Sequence, residues 1–175
     1  MFWPSDYKGE YLLPDYLPHI AHNSEDKIFL AFRYSDTAVS YDLLTDELAY
    51  HSLGITTEFP QKGLKEADLA DERKFAVVQP QIVNYMFYEG RHIIAFKPQS
   101  EFVTNNRINS YYTINWNLLI FSRDFKLLNT YCLNPKEDAE WYQMGVFKDQ
   151  VLLPGNSIRR DDGKESRSFK SFTLN

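Results

Sequence analysis

The chain has 175 residues, 43% of them apolar and 16% aromatic, with 19 lysines and arginines against 24 aspartates and glutamates for a net charge of −5. That is material for one hydrophobic core in a single domain, and it excludes a disordered chain. No basic cluster offers a phosphate-backbone footprint, which excludes nucleic acid as a partner, and the longest apolar run, 28–32, is five residues against the roughly 20 of a membrane helix, which leaves no transmembrane segment.

In chain order, residues 1–17 form a leader rich in Tyr, Leu and Pro, without the basic start and apolar stretch of a secretory signal. The chain is therefore expected to be cytoplasmic or part of a longer precursor. Aromatic and β-branched residues then recur in short runs broken by Asp, Asn, Gly and Glu, which predicts an all-β protein. Strands are expected at 19–23, 27–34, 38–43 and 47–53, at 82–88, 91–97, 114–121 and 126–133, and at 141–147, 150–154 and 168–174. The runs Ile28-Phe29-Leu30-Ala31-Phe32 and Leu118-Leu119-Ile120-Phe121 lack in/out alternation, so their strands should be buried on both faces. Helix is expected only at 64–74, inside the long insert 54–81, where good helix formers cluster.

Connections alternate between tight, at 24–26, 44–46, 89–90, 123–125 and 148–149, and long, at 54–81, 98–113 and 155–167. A weak repeat relates 41–48 to 121–127, each an aromatic, a polar turn with an acid, and a return strand opening on Leu. Two units of about 40 residues fit between them, the blade period of a β-propeller. Grouping by fours gives antiparallel blades at 18–53 and 82–133 and a three-stranded one at 141–174, a partial propeller of about three blades, half of a six-bladed ring. Its long connections should share one face. Three blades cannot close a ring, so the missing half of a longer chain, or a homodimer, is expected to complete it.

The hairpin over 118–128, followed by Trp141-Tyr142-Gln143-Met144-Gly145-Val146-Phe147 and its return strand to Leu153, resembles the last blades of six-bladed propeller lipoproteins of Bacteroides-type bacteria. Those are TolB-like or NHL-like domains of unknown function. The resemblance implies a cell-envelope or periplasmic location and a full chain about twice this length, and it hands over no catalytic residue.

Chemistry-bearing motifs are sparse. His19-x-x-His22 places its members on opposite faces of a strand, with no further ligand nearby in sequence; Ser5-x-x-Lys8 lacks the companion motifs of penicillin-interacting enzymes. Asp161-Asp162-Gly163-Lys164-Glu165 has the composition of a calcium loop without its ligand spacing and reads as a solvated turn. Cys132 is alone, which forbids an intrachain disulfide, and is expected to be a small buried apolar group. Tyr85, Phe87, Tyr88, Trp116, Phe121, Trp141 and Phe147 are expected to pack between blades. Tyr111 and Tyr112 differ, because they close a polar loop and can stack on a sugar or a peptide.

No catalytic residue, metal site or cofactor is expected. The long-loop face, with Asn105, Arg107, Tyr111, Tyr112, Arg159 and Arg160, is the candidate contact set for a protein, peptide or glycan. The alternative is a carbohydrate-active lyase or hydrolase with its site at the ring centre, which requires convergent carboxylates or histidines.

Overall fold

Strict alternation of side chains along the central strands decides which layer meets which. The computed structural model describes residues 18–22, 26–55, 59, 72–110, 114–134, 143–159 and 165–174. In chain order these form β1 (His19–His22), β2 (Lys27–Ala31), β3 (Thr37–Asp42), β4 (Glu47–Ser52), α1 (Glu72–Val78), β5 (Gln81–Tyr88), β6 (Arg91–Lys97), β7 (Val103–Thr104), β8 (Arg107–Ile108), β9 (Trp116–Ser122), β10 (Leu127–Leu133), β11 (Gly145–Phe147), β12 (Gln150–Arg159) and β13 (Glu165–Thr173). Sheet 1 runs β1-β2-β3-β4, sheet 2 runs β5-β6-β9-β10, and sheet 3 runs β11-β12-β13, all antiparallel. The fold is all-β, blade-like meanders of four, four and three strands, and each expected strand has its counterpart.

Sheet 2 is the middle layer. Ile94, Phe96, Leu119 and Phe121 point from it into a core shared with Phe29, Ala31 and Ala38 of sheet 1. Their neighbours Ile93, Ala95, Leu118 and Ile120 point the other way, into a core shared with Val151 and Leu153 of sheet 3. Burial on both faces is why these strands read as unbroken apolar runs. Each fully buried Leu, Ile or Phe contributes about 1.5–3 kcal/mol relative to exposure, so this layer carries most of the hydrophobic stabilisation.

The tight turns use backbone that the sequence can supply. Glu89 and Gly90 both have positive φ, as do Asn105 and Asn106, the pattern of a two-residue type I′ hairpin turn. Asp46 and Phe125 also have positive φ, and they sit in the β3–β4 and β9–β10 turns. The weak repeat over 41–48 and 121–127 is thus one structural position, the third-to-fourth strand turn, occurring in two sheets. In the first, Leu44 N and Thr45 N donate to Asp42 Oδ1 at 3.0 and 3.1 Å; in the second, Lys126 N donates to Ser122 Oγ at 3.1 Å. The Asp42 carboxyl is held below its usual range mainly by those two amides, with Lys27 adding a smaller effect.

Four expectations change. Helix is described at Glu72–Val78 and continues past the expected end at 74; residues 60–71 lie outside the described ones. Val77 and Val78 are poor helix formers, and tertiary contacts hold them in place: Phe75 packs edge-on against Tyr34 at 5.3 Å, and Val77 is buried. The long connection expected at 155–167 is mostly ladder, because β12 and β13 continue to Arg159 and Glu165. A register shift between Pro154 and Ser157 accommodates Pro154 and Gly155 within the ladder. Cys132 is exposed, since β10 is an edge strand and only alternate residues such as Leu133 face the core. Phe147 is 61% exposed on the outer side of sheet 3. Of the other aromatics, Tyr85, Phe87 and Phe121 pack between sheets 1 and 2, and Tyr88 and Trp116 between sheets 2 and 3; Trp141 lies outside the described residues.

Candidate functional site

Antiparallel meanders send alternate connections to opposite ends of a sheet. The turns 43–46, 89–90, 123–126 and 148–149 therefore leave one end, and the second-to-third strand connections leave the other. Three connections meet there, β2–β3, the exit from β4 and β6–β9, the last two of them long. Ile82 N at the start of β5 donates to Arg33 O at 2.7 Å, tying the β2–β3 connection to sheet 2. Asp36 in that connection accepts from Ser52 Oγ at 2.9 Å, Gly54 N at 2.9 Å and Ile55 N at 2.7 Å, which fixes the chain as it leaves β4. Gly54 takes φ of +62° at this exit.

The C-terminal end of α1 is fastened to the third of these connections. Gln79 N donates to Phe75 O at 2.9 Å, Gln81 Nε2 to Ala76 O at 2.6 Å, Lys97 Nζ to Val77 O at 2.8 Å, and Ser100 N to Val78 O at 3.1 Å. Every carbonyl that a helix end leaves orphaned is thus satisfied. Lys97 also donates to Pro98 O at 3.0 Å and is 2% exposed. Burial pulls its ammonium down to about 7. A neutral amine still has two N–H groups for those two carbonyls, so the cap survives deprotonation.

Beyond Ser100 the same connection projects the β7–β8 hairpin. Thr104 pairs with Arg107 across Asn105-Asn106, and Val103 pairs with Ile108. Asn109 Nδ2 donates to Glu101 O at 2.7 Å and to Thr104 Oγ1 at 2.8 Å, bracing the hairpin base. All six residues from Val103 to Ile108 are exposed, with Val103 at 48% and Ile108 at 62%. The result is a braced platform with amide and guanidinium groups at its tip and an apolar flank.

A second cluster lies between sheets 1 and 2. His92 is fully buried, and its Nε2–H donates to Arg123 O at 3.1 Å, because a carbonyl can only accept. That fixes Nδ1 as acceptor of the Tyr85 hydroxyl at 2.7 Å. Phe125 stacks on His92 with centroids 3.8 Å apart and on His51 at 4.3 Å, and Ser40 Oγ lies 2.8 Å from His51 Nε2. Burial drives His92 down to about 4 and raises Tyr85; it also lowers His51, with Lys27 nearby adding to the effect. A neutral histidine and a protonated tyrosine, sealed among aromatic rings, make a structural hydrogen bond rather than an acid–base pair reaching a substrate.

Of the residues singled out from the sequence, Asn105 and Arg107 stand side by side at the hairpin tip. Arg159 ends β12, while Tyr111, Tyr112 and Arg160 lie outside the described residues, as do Ser5, Lys8 and 161–164. His19 donates through Nε2 to Ile82 O at 3.2 Å, a tie between sheets. Among the described residues no three His, Cys, Asp or Glu side chains come together as a metal site. Lys97, His92 and His51 gave no signal in sequence, since nothing local distinguishes a charged or titratable residue in a strand from its solvated counterparts.

No family model matches the sequence, and no curated protein matches it. A crystal structure of a DUF4221 family member from Bacteroides vulgatus is similar in fold, with a TM-score of 0.74 and 12% identity. The match covers 99% of this chain and 51% of that one, so the chain spans about half the length of the solved relative.

Proposed function

We propose that this chain is a non-catalytic binding or scaffold module, an arc of a six-bladed propeller whose long-connection end receives a protein, peptide or glycan. The observation that carries this reading is the convergence of three connections, two of them long, at one end of the sheets. They are locked by Asp36, Lys97 and Ser100 and bear the exposed β7–β8 hairpin. Rigid scaffolds place recognition on such loops. Asn105 and Arg107 supply polar recognition, and Tyr111 and Tyr112, next along the chain, supply rings for stacking. The resemblance to envelope lipoproteins supports a cell-envelope location, with the rest of the ring supplied by further chain or by a second copy.

A glycan and peptide array tests this. The wild-type chain should retain a ligand, and Asn105→Ala/Arg107→Ala and Tyr111→Ala/Tyr112→Ala should each weaken it at least about tenfold, the effect of losing one good contact of ~1.4 kcal/mol. Unchanged binding by both pairs would overturn the assignment of this end, and cleavage of an arrayed glycan would replace the reading with the enzymatic one.

A further inference from the structure

The connection that carries the β7–β8 hairpin leaves β6 at Lys97 and is tied down over its first residues. Ser100 N donates to Val78 O at 3.1 Å, and Ser100 Oγ donates to Val77 O at 2.5 Å. Lys97 Nζ reaches the same Val77 O and also Pro98 O, from a side chain that is 2% exposed. Nearer the hairpin, Asn109 N donates to Phe102 O at 2.8 Å. The surroundings of the amine are uncharged. α1 presents the carbonyls of its last turn, and β5 brings Gln81 to the position paired with Lys97. β9 brings Trp116 to the next position across, since Phe96 pairs with Asn117, and the connection itself contributes Pro98 and Ser100. Arg73 and Lys74 of α1 and Glu101 of the connection are exposed, and Tyr85, Tyr88, Arg91 and His92 lie further along β5 and β6 toward their tight turn. Among the described residues no carboxylate comes within ion-pair distance of Lys97. An ammonium held here has exchanged water for two carbonyls and no counter-charge, which disfavours the charged form.

We propose that Lys97 is a proton-operated latch on this hairpin: the connection opens with uptake of a proton at the buried amine and closes with its release. The inference rests on the reading of the hairpin as a recognition element and adds its regulation. Closed, the amine is dry, and burial alone brings it down to about 7; open, it meets water and returns to the ordinary lysine value of 10.5. Between those values opening takes up a proton, so closure strengthens as pH rises, approaching about tenfold per pH unit. Below pH 7 both forms are protonated, and closure is at its weakest and independent of pH. The neutral amine keeps both of its hydrogen bonds, so the latch responds to solvation of the charge and not to loss of a donor.

Amide exchange followed by NMR from pH 6 to pH 9.5, corrected for the intrinsic rate at each pH, reads the opening at Ser100 N and Asn109 N. Their protection should be level up to about pH 7 and then rise, approaching about tenfold per unit by pH 8.5. Leu43 N and Gly54 N, held by Asp26 O and Asp36 in sheet 1, should stay level. Lys97→Gln keeps N–H donors for the two carbonyls and does not titrate, so Ser100 and Asn109 should be level throughout in that variant. If Lys97→Gln loses the wild-type circular dichroism, Lys97→Met takes its place. Cys132, whose thiol also titrates in this range, is kept in both variants. A level wild-type profile, or a rise that persists in the variant, would overturn the proposal. The measurement uses no ligand, so a level profile leaves the binding reading standing, and an array without a bound ligand leaves the latch standing.

Discussion

Acidification should weaken this protein through His92. The ring is fully buried, and its folded value of about 4 lies below the ordinary 6.5. Between those two values the unfolded chain takes up a proton that the folded chain refuses, so stability rises with pH across the window and is lost as pH falls through it. The slope reaches about 1.4 kcal/mol per pH unit, and the whole window is worth about 3 kcal/mol, a large share of the 5–15 kcal/mol typical of a domain. The informative perturbation is His92→Phe combined with Tyr85→Phe. The new ring keeps a stack on Phe125, loss of the Tyr85 hydroxyl avoids an orphaned donor, and Arg123 O lies in an exposed turn that water can reach. The double variant should therefore lie within about 1 kcal/mol of wild type at pH 7.5. At pH 4 it should be the more stable by about 2 kcal/mol. Urea unfolding followed by tryptophan fluorescence from pH 7.5 to pH 4 reads both curves. Parallel curves would refute the reasoning, because His51 and the carboxylates titrate in both proteins and only His92 differs.

Three further outcomes follow from the geometry. Lys97→Met should remove a rise in stability of about 2–3 kcal/mol that the wild type shows between pH 7 and pH 9.5, where the unfolded lysine is protonated and the folded one is losing its proton; urea midpoints at the two pH values check it. Asp36→Ala should cost about 1.5–3 kcal/mol, the range for charged hydrogen bonds, since it frees Ser52, Gly54 and Ile55 together, and thermal unfolding measures it. Phe125→Ala should cost about 3–5 kcal/mol, because it removes the ring that both histidines stack on and keeps the positive φ; Phe125→Gly, which relieves that φ, should be the less damaging of the two by about 1 kcal/mol in the same assay.

Much of the architecture was legible because it is written in short-range terms. Unbroken runs such as Leu118–Phe121 announced a sheet covered on both sides, and turn residues such as Glu89-Gly90 carry the backbone preference that a hairpin needs, whereas the β7–β8 hairpin went unread inside a connection taken as a polar loop. Helix runs past the expected end at 74 because Phe75, Val77 and Val78 owe their conformation to Tyr34 and Lys97, partners far along the chain. The strand expected to end at 154 continues, because the ladder tolerates Pro154 and Gly155 through a shift of register. Cys132 and Phe147 were placed inside because their apolar neighbours are inside; which alternate residue faces a core depends on whether another sheet lies over it. The candidate site was legible only as an end of the sheets. The grip of Asp36 on the β4 exit, the Lys97 cap and the Asn109 brace are contacts between segments, and no local pattern encodes them.

The claim that binding belongs to the long-connection end is tested most directly by amide hydrogen exchange of the chain with and without the ligand selected on the array. Protection should appear over 32–36, 97–100 and 103–108, where the connections converge. Protection confined to the turns at 43–46, 89–90, 123–126 and 148–149 would place the ligand at the opposite end of the sheets and contradict the account.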